Sequence, residues 1–268
     1  MDRTPVVFIH GAWLHVLSWE LWAERFAHRG YRPLAPGWPG EAATAHAARK
    51  SPGALAGLGL EALTDHYAGI VRSLDVAPVL VGHSVGGLVA QHLLGHNLGR
   101  AAVAIAAAPI NDVPLPEDPR RRWTPDQYTA ADPLVPLSAA QFHQSLANTE
   151  EETEAYRLFE RYALPAPRRL LTDLGCGAAA RSPRAAADVD NAGRGPLLLI
   201  SGQEDRMVPD AVTRAVYKEY GDSTAVTDLK QFADRAHSLV FDSGWRPVAD
   251  HVLGWLDERG IRARAANA

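Results

Sequence analysis

Residues 81–87 read VGHSVGG. The apolar run Pro78-Val79-Leu80-Val81 leads into them, and a second apolar stretch, Leu88 to Leu94, follows. A buried strand that runs through a glycine-rich turn into an amphipathic helix is the pattern of a β-then-α unit. The turn contains Gly82-His83-Ser84-Val85-Gly86, with one hydroxyl at its tip. Small neighbours are needed where strand and helix nearly touch. The tight turn holds the serine Oγ clear of the sheet, and the helix N-terminus favours negative charge beside it. An ordinary glycine-rich turn is the competing explanation, so the rest of the chain must supply the partners of a nucleophile.

The same alternation extends in both directions. Pro5 to Ile9 is a continuous apolar run and reads as a strand buried on both faces. Residues 18–29 place Trp19, Trp22 and Phe26 at helical spacing, with Ser18 as the expected cap and Gly30 as the expected end. A brief strand at 32–36 precedes the loop Gly37-Trp38-Pro39-Gly40. A helix is expected from Leu60 to Leu74, a strand over 78–82, a helix to about Asn97, and a strand over 102–107. Strand and helix then resume at 196–200, with Pro209 near a helix start and Gly221 near its end. A strand near 226–232 and a helix from Pro247 to Arg259 close the pattern. Repeated β-then-α units predict an α/β fold, a mostly parallel sheet of about six strands with helices on both faces.

Residues 110–190 break this rhythm. They begin rich in proline and charge and continue with two expected helices, near 138–148 and 151–163. Ser138 and Gln141 form a capping box, and an acidic run opens the second helix. The reading is a core of 1–109 and 191–268 with an inserted segment between.

A serine needs a base and an orienting acid. In this turn type the chain order is serine, acid, histidine. The strand at 196–201 leads into Gly202-Gln203-Glu204-Asp205, and the last strand into Arg235-Ala236-His237-Ser238. Both lie past the carboxyl ends of strands, where open sheets bind ligands. Of the distant histidines, His143 falls in the insertion and His251 inside the last helix, so His237 is the expected base. Oxyanion donors are expected from Val85 N–H and from the loop after the first strand, His10-Gly11-Ala12-Trp13, with Ala12 first and Trp13 next.

With "FIHGAW", "GHSVGG", "SGQEDRMVP" and "RAHSL" in this order, the chain resembles the α/β-hydrolase superfamily. The resemblance spans nearly the whole sequence. It implies the nucleophile, acid and base at Ser84, Asp205 and His237, and a cap at 110–190 over the site. The "HG" strand stands at the start of this sequence, and the "HGAW" loop is similar to that of the plant esterase and hydroxynitrile lyase branch. The implied activity is serine hydrolysis of a small or medium apolar ester, thioester or lactone. A lyase or perhydrolase using the same residues, or a ligand-binding receptor on the same fold, is the alternative.

The remaining features bound the reading. With 27 basic and 31 acidic residues among 268, no sign of charge dominates, so nothing argues for nucleic acid or an anionic membrane as partner. The first apolar run is too short for a signal peptide. One cysteine, Cys176, excludes an internal disulfide and suits a cytoplasmic protein. His92 and His96 are one helical turn apart, but no third ligand accompanies them, so no metal is expected. Gly57-Leu58-Gly59 lacks the strand and third glycine of a dinucleotide motif, so no cofactor is implied. Trp13, Trp38, Trp123 and Phe142 are the expected substrate-pocket residues. Tyr128, Phe159 and Tyr162 are further aromatic candidates, and Arg120 to Arg122 read as a solvated loop.

Overall fold

A computed structural model describes residues 3–115, 132–175 and 182–263. In chain order its elements begin with β1 (Pro5–Ile9), α1 (Glu20–His28), β2 (Arg32–Leu34), α2 (Ala45–Lys50) and α3 (Leu60–Arg72). Then come β3 (Val79–His83), α4 (Val85–Gly95) and β4 (Ala101–Ile105). Next come β5 (Leu134–Val135), α5 (Ala139–Ser145), α6 (Glu152–Tyr162), β6 (Ala166–Pro167) and α7 (Arg168–Asp173). The chain continues with β7 (Leu197–Gly202), α8 (Asp210–Glu219), β8 (Thr227–Phe232) and α9 (Trp245–Glu258).

Strands β1, β3, β4 and β7 are buried at every position. That explains their unbroken apolar runs, because helices cover both faces. The sheet is wholly parallel in the order β2-β1-β3-β4-β7-β8. Its edge strands β2 and β8 are only partly buried and correspondingly more polar. Among the described residues no helix is long and apolar enough to cross a membrane.

Local expectations were met or displaced for identifiable reasons. The capping box forms, with Gln141 N donating to Ser138 Oγ and Ser138 N to the Gln141 side chain. Ser18 does not cap α1. The chain enters through a tight turn at Val16–Trp19 whose first N–H groups include Leu17 N, which donates to the ring of His15, and Ser18 is buried inside it. The last helix starts at Trp245, two residues before Pro247, because N–H groups in a first turn have no intrahelical partner to lose.

The segment from β5 to α7 rests on the carboxyl end of the sheet. Its two short strands pair antiparallel. Trp13 Nε1 donates to Val135 O at 2.9 Å, His15 N to Tyr162 O at 2.8 Å, and Ser238 N to Leu146 O at 2.9 Å. It therefore touches the loops that leave β1 and β8.

Candidate active site

The strand order reverses between β1 and β3. From β1 the chain steps outward to β2, then crosses back to lay β3, β4, β7 and β8 on the other side. Loops leaving neighbouring strands diverge at such a point and open a crevice. Ser84 lies there, between β3 and α4, facing the loop that follows β1.

The turn at Ser84 is strained. Ser84 has φ 55° and ψ −121°, a region that side chains disfavour. Four hydrogen bonds hold it there. Its N–H donates to Ile105 O at 3.0 Å, and its carbonyl accepts from Gly87 N, Leu88 N and Ala108 N. Glycine is required around it by contact. A Cβ on Gly86 would come 2.1 Å from Ile9 O, and one on Gly11 would come 2.8 Å from Ser84 Cβ. The loop after β1 is thus pressed directly against the serine turn. Ala12 and Val85 are both buried, and among the described residues neither N–H donates to a protein acceptor.

Asp205 and His237 meet at the ends of β7 and β8. Asp205 Oδ2 lies 2.8 Å from His237 Nδ1, while Oδ1 accepts from Met207 N and Val208 N, each at 2.8 Å. One carboxylate oxygen fixes the side chain in its own turn and the other receives the ring. With Nδ1–H so engaged, Nε2 keeps the lone pair. Glu204 is exposed, whereas Asp205 is 5% exposed and His237 2%. Among the described residues the Ser84 hydroxyl and His237 Nε2 make no hydrogen bond, a contact that often tightens only with substrate bound.

The other sequence-derived candidates are placed as follows. Trp13 has φ 62° and is buried. Trp38 stacks on the His10 ring with centroids 4.5 Å apart. Phe142 is fully buried, its ring centroid 5.7 Å from Phe159 and 6.2 Å from Phe241. Tyr162 donates to Glu20 at 2.8 Å. Trp123, Tyr128, Arg120 to Arg122 and Cys176 lie outside the described residues. His143 Nε2 is 3.0 Å from Glu150 O, and His251 sits on α9. The rings of His92, on α4, and His96, just past its end, are tilted against each other with centroids 4.4 Å apart. Among the described residues no group of three or more His, Cys, Asp or Glu is arranged to hold a metal.

Two buried groups escaped the motif reading, His83 and Glu41. His83 occupies the variable position of the serine motif, so the pattern assigns it nothing. Its Nε2 donates to the backbone carbonyl of His237 at 2.8 Å. Burial and the neighbouring His237 push its pKa well below the usual histidine value, so the ring is neutral.

Residues 6–251 match the alpha/beta hydrolase family, and the chain belongs to it. Compared with curated protein sequences, it has no significant match. Its fold is similar to an extracellular α/β-hydrolase from a Paenibacillus species described as sharing structural and functional homology with tobacco salicylic acid binding protein 2. That likeness has TM-score 0.67 and 16% identity over 94% of this chain and 98% of the other. It is also similar to a methylesterase from Arabidopsis, with TM-score 0.66 and 16% identity over 95% and 99%. A thermophilic esterase from Thermogutta terrifontis gives 0.64 and 20% over 96% and 91%. Identities this low speak to the fold.

Proposed function

We propose that the chain is a cofactor-free serine hydrolase, acting on a small or medium apolar ester, thioester or lactone. The observation that carries this is the buried Asp205–His237 pair at 2.8 Å, at the same end of the sheet as the strained Ser84 turn. In this reading His237 Nε2 takes the Ser84 proton as the hydroxyl attacks the carbonyl. Asp205 holds the imidazole in its tautomer and stabilises the imidazolium. Ala12 and Val85 N–H receive the oxyanion. The tetrahedral intermediate collapses to an acyl-enzyme, and His237 gives its proton to the leaving group. Water then attacks the acyl carbon, with His237 again as base.

The same reading makes residues 110–190 a cap that shapes the pocket, with Trp13, Trp38, Trp123 and Phe142 as candidate lining. Its aromatic content suits an apolar acyl group. Cytoplasm is kept as the expected location, which fractionation tests. The deciding experiment is labelling with a fluorophosphonate, followed by a p-nitrophenyl ester assay. Wild type should label on Ser84 and turn over the ester, and Ser84→Ala should do neither while staying folded. A label on another serine, or ester turnover by Ser84→Ala, overturns the assignment. Turnover of a cyanohydrin, or of peroxide with an acyl donor, in preference to esters would favour the lyase or perhydrolase instead.

A further inference from the structure

One buried carboxylate gathers both ends of the loop that follows β1. Glu41 lies between β2 and α2, and its side chain is 1% exposed. Its Oε2 is 2.9 Å from His10 Nε2 and accepts from Trp38 N at 3.3 Å. Its Oε1 accepts from Val16 N at 2.9 Å and lies 3.3 Å from His15 Nε2. The loop is therefore held at its first residue and at its last two.

The partners assign the protons. His15 Nδ1 accepts from Leu17 N, and its Nε2 donates to Ala42 O at 2.9 Å. His10 differs. Its Nδ1 is 3.0 Å from Gly11 O and its Nε2 is 2.9 Å from the carboxylate. Gly11 O only accepts, so Nδ1 carries a hydrogen toward it, and the carboxylate lies against the Nε2 edge of the ring. Trp38 stacks on its face and limits its rotation. Burial raises the Glu41 carboxyl, but the His10 charge and the Val16 N–H outweigh it and bring it down to about 2.

The consequence falls on Ala12. Gly11 O and Ala12 N–H belong to one planar trans peptide and point in opposite directions. While His10 Nδ1 holds Gly11 O, the Ala12 N–H is fixed on the other side. Without the carboxylate at its Nε2 edge the ring loses the contact that keeps Nδ1 on Gly11 O. We propose that Glu41 is a positioning residue for the oxyanion donor, holding the His10 ring in place so that its Nδ1 keeps Gly11 O and the Gly11–Ala12 peptide presents its N–H to the site. This rests on the hydrolase reading above.

Glu41→Gln keeps the side-chain shape and removes the charge. On p-nitrophenyl butyrate its kcat should fall roughly 10- to 100-fold, somewhat less than the loss of a whole oxyanion donor, with KM little changed. Affinity for a trifluoromethyl ketone, whose hemiketal oxygen loads the oxyanion site, should fall by a similar factor. His10→Gln should behave alike, and the double variant should be no worse than either, because the pair acts as one unit. If Glu41→Gln only lowers Tm, with kcat and ketone affinity of the folded enzyme intact, the proposal is overturned. If the variants do not fold, the ¹⁵N shifts of the His10 ring in wild type decide: a hydrogen on Nδ1, facing Gly11 O, supports it and a bare Nδ1 overturns it. Failure of wild type to label on Ser84 would sink the hydrolase reading and this inference together. Labelling with unaltered Glu41→Gln kinetics sinks this inference alone.

Discussion

At the scale of single residues, the two adjacent carboxylates Glu204 and Asp205 have opposite fates. Asp205 Oδ1 accepts two N–H groups of its own turn and Oδ2 receives His237. Glu204 is exposed, and among the described residues only its backbone is engaged, its carbonyl accepting from Asn148 at 3.0 Å and its N–H donating to Arg235 O at 3.0 Å. Asparagine at 205 would keep Oδ1 for the turn and turn an amide nitrogen toward His237 Nδ1. Two donors cannot face each other, so the imidazole would move its proton to Nε2 and lose the lone pair that faces the nucleophile. In a Ser-His-Asp triad this swap costs about 10⁴ in kcat. Asp205→Asn should therefore lose on the order of 10²–10⁴ in kcat with a small change in Tm, and Glu204→Gln should stay within about tenfold of wild type. Measuring both on one ester settles the acid, and a crippled Glu204→Gln reverses the assignment. Ser84, Asp205 and His237 stood out as candidates in the sequence because each follows a strand, in an order that the chemistry dictates, and the fold brings Asp205 and His237 to 2.8 Å. Glu41 did not. Its partners His10, His15, Val16 and Trp38 meet only once the sheet is folded, and no spacing rule joins them.

At the scale of elements, the unit formed by β3, Ser84 and α4 holds local strain against tight packing. The backbone of Ser84 at φ 55° costs of the order of 1–3 kcal/mol for a residue with a Cβ. Glycine adopts that region freely but gives back about 0.5–1 kcal/mol through the unfolded chain. Ser84→Gly should accordingly be more stable than Ser84→Ala by about 1 kcal/mol, or a few degrees in Tm. A Tm order with Ala above Gly would show that the turn is not strained. Two other glycines test contact against propensity. A methyl on Gly86 would sit 2.1 Å from Ile9 O, a backbone atom that cannot step aside, whereas one on Gly254 in α9 meets nothing within 4 Å. Gly86→Ala should cost about 3 kcal/mol or more, and Gly254→Ala should gain about 0.5–1 kcal/mol from helix propensity. Urea unfolding of the two variants measures both, and equal effects would deny the contact argument. The long elements were readable because their apolar spacing is set by the layer they bury against. The short ones were not. Strands β5 and β6 have two residues each, too few to show a period. Helix α2 is a single capped turn and a half, Ala45–Lys50, whose alanines carry no amphipathic mark.

At the scale of the whole molecule, the buried titratable groups act together on stability. Burial and neighbouring charge lower the proton affinity of His83 strongly, and burial lowers that of His92 and His251 in the same direction. Glu41 is likewise brought down, to about 2. At all four groups the folded chain holds protons more weakly than the unfolded chain, so stability rises with pH wherever they titrate. For the histidines the stabilisation is full above about pH 7. It is lost as pH falls through the unfolded value of about 6.5 toward the lower folded values. Glu41 adds its own loss only below about pH 4.5, between its unfolded and folded values. Asp242 has the opposite sign, because burial raises its carboxyl. The part that belongs to one histidine is isolated by comparing wild type with a variant at that position alone. One histidine whose protonation is fully suppressed in the fold loses about 2 kcal/mol over the 1.5 units from about 6.5 to 5. His83 is the strongest case, fully inside the protein with its Nε2–H on the His237 carbonyl. His83→Gln offers an amide N–H for the same carbonyl and has no proton to exclude. Urea unfolding at pH 8, 6.5 and 5 should show wild type losing stability at each step with an unchanged m-value. The variant's total loss should be smaller by about 2 kcal/mol. If the two proteins lose stability in parallel, His83 takes up its proton in the folded state, and the neutral ring beside His237 is the wrong description of this site.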